Sequence, residues 1–197
     1  FYFETGEFTS QHAKRFAGEV ADILLRHTGT NKRLAIDKIE IAGLRALDQL
    51  GMDISDGQAV MEQARLVKNI DEINAMRCSL ASTEIALRKM QNASGPGVSE
   101  NDIWAILHAE NIRRGGEWIE CRIMSTGPRT NPWFQECGPR IVEYGDLLAL
   151  DTDLIGPYGI CADISRSWLI GDVEPTAEQK QLYQLAYERM ETNMQLL

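Results

Sequence analysis

The stretch "LLALDTDLIGPYGICADISRSW", residues 147–168, narrows the possible folds more than any other part of the chain. It reads as two apolar strands around a turn, because Gly156-Pro157 and Tyr158-Gly159 are turn residues. Asp151, Asp153 and Asp163 stand inside those strands. A buried carboxylate is costly unless it is paired or binds a cation. Side chains two apart on a strand face the same way. Asp151 and Asp153 are therefore expected on one face, with Thr152 on the other. A hairpin at the turn returns Asp163 beside the pair, and Cys161, Asp163, Ser165 and Ser167 share a face of the second strand.

Three carboxylates on a rigid hairpin repel one another, so either their pKa values rise or a cation joins them. Oxygen ligands suit Mg, Mn, Ca or Fe(II) better than a structural zinc site. A carboxylate bridging two ions about 3.5–4 Å apart is typical of two-metal catalysis. Spacing alone leaves a second arrangement open. In it Asp151 caps a turn, Asp163 pairs with Arg166, and Asp153 ends a strand in solvent.

The 197 residues are 44% hydrophobic and 25% charged, enough to bury a substantial core. A net charge of −9 without a basic patch argues against a nucleic-acid partner. No apolar run reaches the roughly 18 residues of a membrane span. The opening "FYFETGEFTS" has no initiator Met and no basic-then-apolar leader, as expected for a piece of a longer protein. Cys78, Cys121, Cys137 and Cys161 form no C-x-x-C and read as free thiols of a reducing cytoplasm. Three histidines and no H-E-x-x-H leave no His-rich zinc site.

Phe16, Val20, Ile23 and Leu24 predict a helix over 9–28. A strand (33–37), a helix ending at Gly51, then a strand and a loop resemble the tail of an α/β domain. The composition shifts near residue 66, where one long amphipathic helix is expected until "NASGPG" breaks it, with a stripe of Ile73, Met76, Leu80, Ile85 and Leu87. The boundary falls between 1–65 and 66–197. Ser99 with Asp102, and Thr176 with Gln179, are capping-box pairs that start two further helices. Residues 117–125 and 147–170 are expected as strands.

"ARLVKNIDEINAMR" (64–77), "GVSENDIWAILHAENIRRGGE" (97–117), "STGPRTNP" (125–132), "EYGDLLALDTD" and "GICADISRSW" resemble, in order, the entry helix, second helix, Ser-Gly-Pro loop and first two metal-ligand strands of the creatinase, prolidase and aminopeptidase P group. The resemblance implies an α/β (α+β) fold. It is the first half of a pita-bread fold, preceded by the end of an α/β N-terminal domain. It also implies a homodimer in which one subunit's N-terminal domain approaches the other's site.

Two departures narrow the branch. The peptidases use Asp-x-Gly on the first strand, where this chain has Asp151-Thr152-Asp153, twelve and ten residues before Asp163. They also carry a His after the Ser-Gly-Pro loop, where this chain reads "NPWFQE". Both departures are similar to the metallopeptidase-like dimethylsulfoniopropionate lyases. That resemblance implies a dinuclear centre held by Asp151, Asp153 and Asp163. The metal would be iron, with manganese or zinc as alternatives. Cleavage would release dimethyl sulfide and acrylate. It also implies that a His, two Glu and the general base follow Leu197, so this chain alone is expected to bind metal weakly and to be inactive. Xaa-Pro hydrolysis by a dinuclear peptidase and a non-catalytic binding module are the alternatives.

Trp133 is the candidate for stacking on the substrate sulfonium, since cations favour aromatic faces. Trp168 and Cys161 are expected in the core, His108 in a structural role, and Arg166 as support for a ligand carboxylate.

Overall fold

The computed structural model describes residues 6–197, so the first half of the opening segment read for a leader lies outside the described residues. The chain divides into two compact units, 1–68 and 69–197. Among the described residues no helix is long and apolar enough to cross a membrane.

The first unit runs α1 (Thr9–Thr28), β1 (Arg33–Ile36), α2 (Ile41–Gln49), β2 (Asp53–Asp56) and α3 (Gln58–Leu66). β1 and β2 pair in parallel around the α2 crossover. The buried line of α1 is Ala13, Ala17 and Ala21, small side chains that let α2 approach closely through Ala46 and Leu47. The larger residues expected there flank this seam, and Ile23 is exposed. "GQAVMEQAR", expected as loop, is helix α3.

The second unit begins at α4 (Ile70–Ala93), not within one long helix from residue 66. The Asn69 side chain caps the Asp71 and Glu72 amides at 2.9 Å, and Glu72 returns a bond to the Asn69 amide. This capping box satisfies amides that have no partner within the helix, and so sets its start. The buried side of α4 is Ser79, Thr83, Ala86, Leu87 and Met90, whereas Leu80 and Ile85 of the expected stripe are exposed. α5 (Glu100–Arg113) starts at the Ser99/Asp102 box and packs against α4.

The strands are β3 (Met124–Thr126), β4 (Leu147–Leu150), β5 (Leu154–Ile155), β6 (Cys161–Ala162) and β7 (Arg166–Leu169). β3, β4 and β7 form an antiparallel sheet in that order, and β5 and β6 form the hairpin. The rest of 117–125 forms no regular strand and joins through bridges at Ile119 and Ile123 and backbone bonds at Glu117, Trp118, Glu120 and Arg122. Leu148, Leu150 and Leu154 lie on the helix side with Ile103, Leu107 and Met90, all almost fully buried. Each such side chain contributes about 1.5–3 kcal/mol on burial. α6 (Ala177–Leu196) starts at its Thr176/Gln179 box and buries no side chain.

Candidate metal centre

The apolar strands carry the carboxylates on the side away from the core. Residues 148, 150, 152 and 154 are buried, while Asp151 and Asp153 face the other way. Regular strand stops at Leu150 and resumes at Leu154, so the aspartates sit in a gap and not in the strand expected for them. The alternation nevertheless persists through the gap. The two ladders on either side also keep one register. Leu150 is opposite Arg166 and Leu154 is opposite Ala162. Counting inward from both ends sets Asp151 opposite Ser165, Thr152 opposite Ile164, and Asp153 opposite Asp163.

The hairpin tip is held by a close approach. The Ser79 hydroxyl on α4 donates to the Ile160 carbonyl at 2.8 Å. A Cβ on Gly156 would lie 2.0 Å from that Ser79 oxygen, so only glycine fits there.

Each aspartate has its own partners. Asp151 Oδ1 accepts from the Ser165 hydroxyl at 3.0 Å and from the Thr152 amide at 3.1 Å. Asp153 Oδ2 accepts from the Cys121 thiol at 3.0 Å. Its backbone is left-handed, with φ 35°, and its carbonyl accepts from the Glu120 amide at 3.1 Å. Between the pairs Ile119–Leu154 and Met124–Leu150, the 117–126 segment holds one residue more than its partner. That bulge brings Cys121 to Asp153, since bulges re-aim side chains. Sequence reasoning missed Cys121, and no local signal marks a bulge. Burial, the bond to Asp153 and the charges of Asp153 and Asp151 push the Cys121 thiol up to about 11, so it remains a donor.

Asp163 shares a hydrogen bond with Asp151. That bond, partial loss of hydration and the charges of Asp151 and Asp153 push its carboxyl up to about 6. Among the described residues no three His, Cys, Asp or Glu side chains enclose a common point. Instead the carboxylates pair with each other and with neighbouring hydroxyl and thiol groups. No Lys or Arg among the described residues forms an ion pair with any of the three. Arg166, expected to support a ligand, projects from the opposite face towards Glu84, 3.9 Å away. It stands one residue out of phase with Asp163 and Ser165. Cys161 is exposed on the carboxylate face and not in the core. Trp168 is half-buried against the core and donates to the Ser94 hydroxyl at 2.8 Å. His108 accepts from Trp104 at 3.1 Å within α5 and is structural.

All three groups are carboxylates, the oxygen donors that a hard divalent cation takes. The oxygens lie on one face without cationic partners, and Asp151 and Asp153 raise the proton affinity of Asp163. A pH dependence follows. The folded protein retains a proton on Asp163 that the unfolded chain loses near pH 4. Ion-free protein therefore loses stability as pH rises from about 4 to 6. An Asp163→Asn variant, stripped of metal by a chelator, is expected to gain on wild type in melting temperature between pH 4 and pH 7. A constant difference across that range would contradict the shared proton.

A buried polar chain fixes the loop beside the sheet. Glu100, at the start of α5, is fully buried and accepts from the Thr126 amide and hydroxyl at 2.9 and 2.8 Å and the Gly138 amide at 3.0 Å. It also pairs with Arg129. Arg140 links Thr126, at 2.7 Å, to Asp146. From this anchor the loop carries Trp133 and Phe134, both exposed, with ring centres 6.1 Å apart. It rejoins the sheet where Glu136 bridges Ile123, whose carbonyl accepts the Asp151 amide at 2.9 Å. Trp133 thus sits on a loop that ends one strand away from Asp151.

Residues 74–197 match the model of metallopeptidase family M24, and the chain belongs to that family. The family implies divalent metal cofactors. The chain is 52% identical to the dimethylsulfoniopropionate lyase DddP of Roseobacter denitrificans, over 100% of this chain and 45% of that protein. It is 49% identical to the DddP lyase of Roseovarius nubinhibens over the same shares. The chain therefore spans less than half the length of these curated relatives. In structure it resembles the X-Pro aminopeptidase of Thermotoga maritima, with a TM-score of 0.74, 22% identity, and 96% of this chain and 56% of that one covered. The shared fold is the mixed α/β, pita-bread fold that the sequence resemblance implied.

Proposed function

We propose that the full-length protein carrying this chain cleaves dimethylsulfoniopropionate to dimethyl sulfide and acrylate by β-elimination. The observation that carries this reading is the Asp151-Thr152-Asp153 doublet facing Asp163, in a chain about half identical throughout to two dimethylsulfoniopropionate lyases. The three aspartates are the proposed ligands of a dinuclear divalent centre. Iron is the proposed metal, with manganese or zinc as alternatives. When bound, the ions would offset the charge of the substrate carboxylate and of the enolate that develops from it.

In the reaction a base takes the proton from the carbon beside the carboxylate. The C–S bond breaks with its electron pair, and the sulfonium leaves as a neutral sulfide. The chain's own contributions are separate. Ser165 and Cys121 hold the doublet in place, and Trp133 offers an aromatic face to the sulfonium. The loop has Pro132, Trp133 and Phe134 and no His, which disfavours amide hydrolysis by the route implied for the peptidases. Residues 1–65 are proposed as the end of a creatinase-like N-terminal domain and 66–197 as the first half of the catalytic domain, in a homodimer. The four free cysteines suit a reducing cytoplasm.

The test assays the full-length protein for headspace dimethyl sulfide from dimethylsulfoniopropionate, with an Xaa-Pro dipeptide in parallel. Sulfide without dipeptide cleavage is expected. A Trp133→Ala variant should raise KM by about tenfold, in line with the 1–2 kcal/mol of a desolvated cation–π contact. An unchanged KM would remove Trp133 from the substrate site.

A further inference from the structure

Asp151 and Asp153 have side-chain partners on their own face of the sheet. Asp163, besides its bond with Asp151, is held through the backbone on either side of it. Thr152 is fully buried on the opposite face. Its hydroxyl donates to the Ala162 carbonyl at 2.8 Å and accepts from the Ile164 amide at 2.9 Å. Ala162 and Ile164 are the residues immediately before and after Asp163. One hydroxyl therefore brackets the third carboxylate while sitting between the other two.

It does so where the regular ladder has lapsed on both strands. The left-handed turn at Asp153 sends that residue's carbonyl to Glu120, on the other side. The Thr152 hydroxyl takes over the cross-strand pairing. Because it is buried, water cannot substitute for it, and sliding one strand past the other breaks both bonds. A β-branched side chain also has few χ1 choices, which fixes where the oxygen points.

We propose that Thr152 is the positioning residue of the metal centre, setting the distance between the Asp151/Asp153 doublet and Asp163. The inference rests on the proposed metal role of the three aspartates and adds the element that keeps them in register. It requires a hydroxyl at this position, not merely a side chain of threonine's shape.

The test uses the full-length protein as wild type, Thr152→Val and Thr152→Ser. Affinity for Mn(II) and Fe(II) is measured by competition with a chromophoric chelator, and exchange of the Ile164 amide is measured on ion-free protein. Valine keeps the shape and loses the hydroxyl; serine keeps the hydroxyl. The valine variant is expected to bind metal about 10–100-fold more weakly, the range for lost supporting partners. Its Ile164 amide should exchange faster, and serine should restore both. If the valine variant does not fold, Thr152→Cys replaces it, with a thiol that is only a weak donor and acceptor. Wild-type affinity in the valine or cysteine variant would overturn the inference, as would a serine variant as weak as valine. A wild type that takes up no metal would overturn the metal reading itself, a distinct result.

Discussion

Asp163→Asn in the full-length protein is expected to lower dimethyl sulfide release by on the order of 10³-fold, more than the 10–100-fold typical of losing a supporting partner. The same substitution should raise the melting temperature of the ion-free protein at neutral pH. The two effects have one origin. Asp163 falls opposite Asp153 by the register of the ladders on either side, shares a hydrogen bond with Asp151, and has its carboxyl pushed up to about 6 by these neighbours. An amide in its place removes a charge that the ion-free fold holds at a cost, and with it an oxygen anion that a divalent ion needs. A purely structural aspartate would give the opposite sign in stability. Activity is read from headspace sulfide at saturating substrate, and stability from thermal unfolding in excess chelator. Lower stability in the asparagine variant would show that Asp163 serves the fold and not the site.

Glu100→Ala carries the largest expected cost to folding. The Glu100 carboxylate is fully buried and collects two amides, one hydroxyl and the Arg129 guanidinium. Its removal leaves the Thr126 amide and hydroxyl and the Gly138 amide without their acceptor. Each buried group left unsatisfied costs about 1–3 kcal/mol, while Arg129 keeps its bond to the Glu136 carbonyl. Glu100→Gln keeps the shape and part of the bonding, and should cost less. Urea unfolding of ion-free protein measures both. A loss below about 1 kcal/mol for the alanine variant would mean that water replaces the carboxylate. The damage should also reach function, since Glu100 anchors the strand end and loop that carry Trp133.

How much of this was legible in the sequence depended on whether a neighbour decided it. The Ser99/Asp102 and Thr176/Gln179 capping boxes are local chemistry, and both helices begin where those residues set them. The strand alternation placed Asp151 and Asp153 on one face, and the Gly-Pro and Tyr-Gly turn returned Asp163 to them. The same Asn-x-x-Glu logic applies at Asn69, but Leu66 and Val67 extend the apolar periodicity before it, so the pattern predicts an earlier start. Cys121 reaches Asp153 only because its segment holds one residue more than its partner, and pattern does not encode that. The sequence reading makes Arg166 a support for a ligand carboxylate, although odd and even positions on β7 face opposite sides. The seam of α1 is alanine, because close helix packing there favours small side chains over the large apolar ones that periodicity picks out.

The most direct test of the account is headspace dimethyl sulfide from the full-length protein, stripped with chelator and then supplied with Fe(II). No sulfide is expected from the stripped protein, sulfide after iron is restored, and on the order of a thousandth of that amount from iron-loaded Asp163→Asn. Xaa-Pro dipeptide cleavage without sulfide, under the same conditions, would contradict it and make the protein a peptidase with an altered ligand doublet.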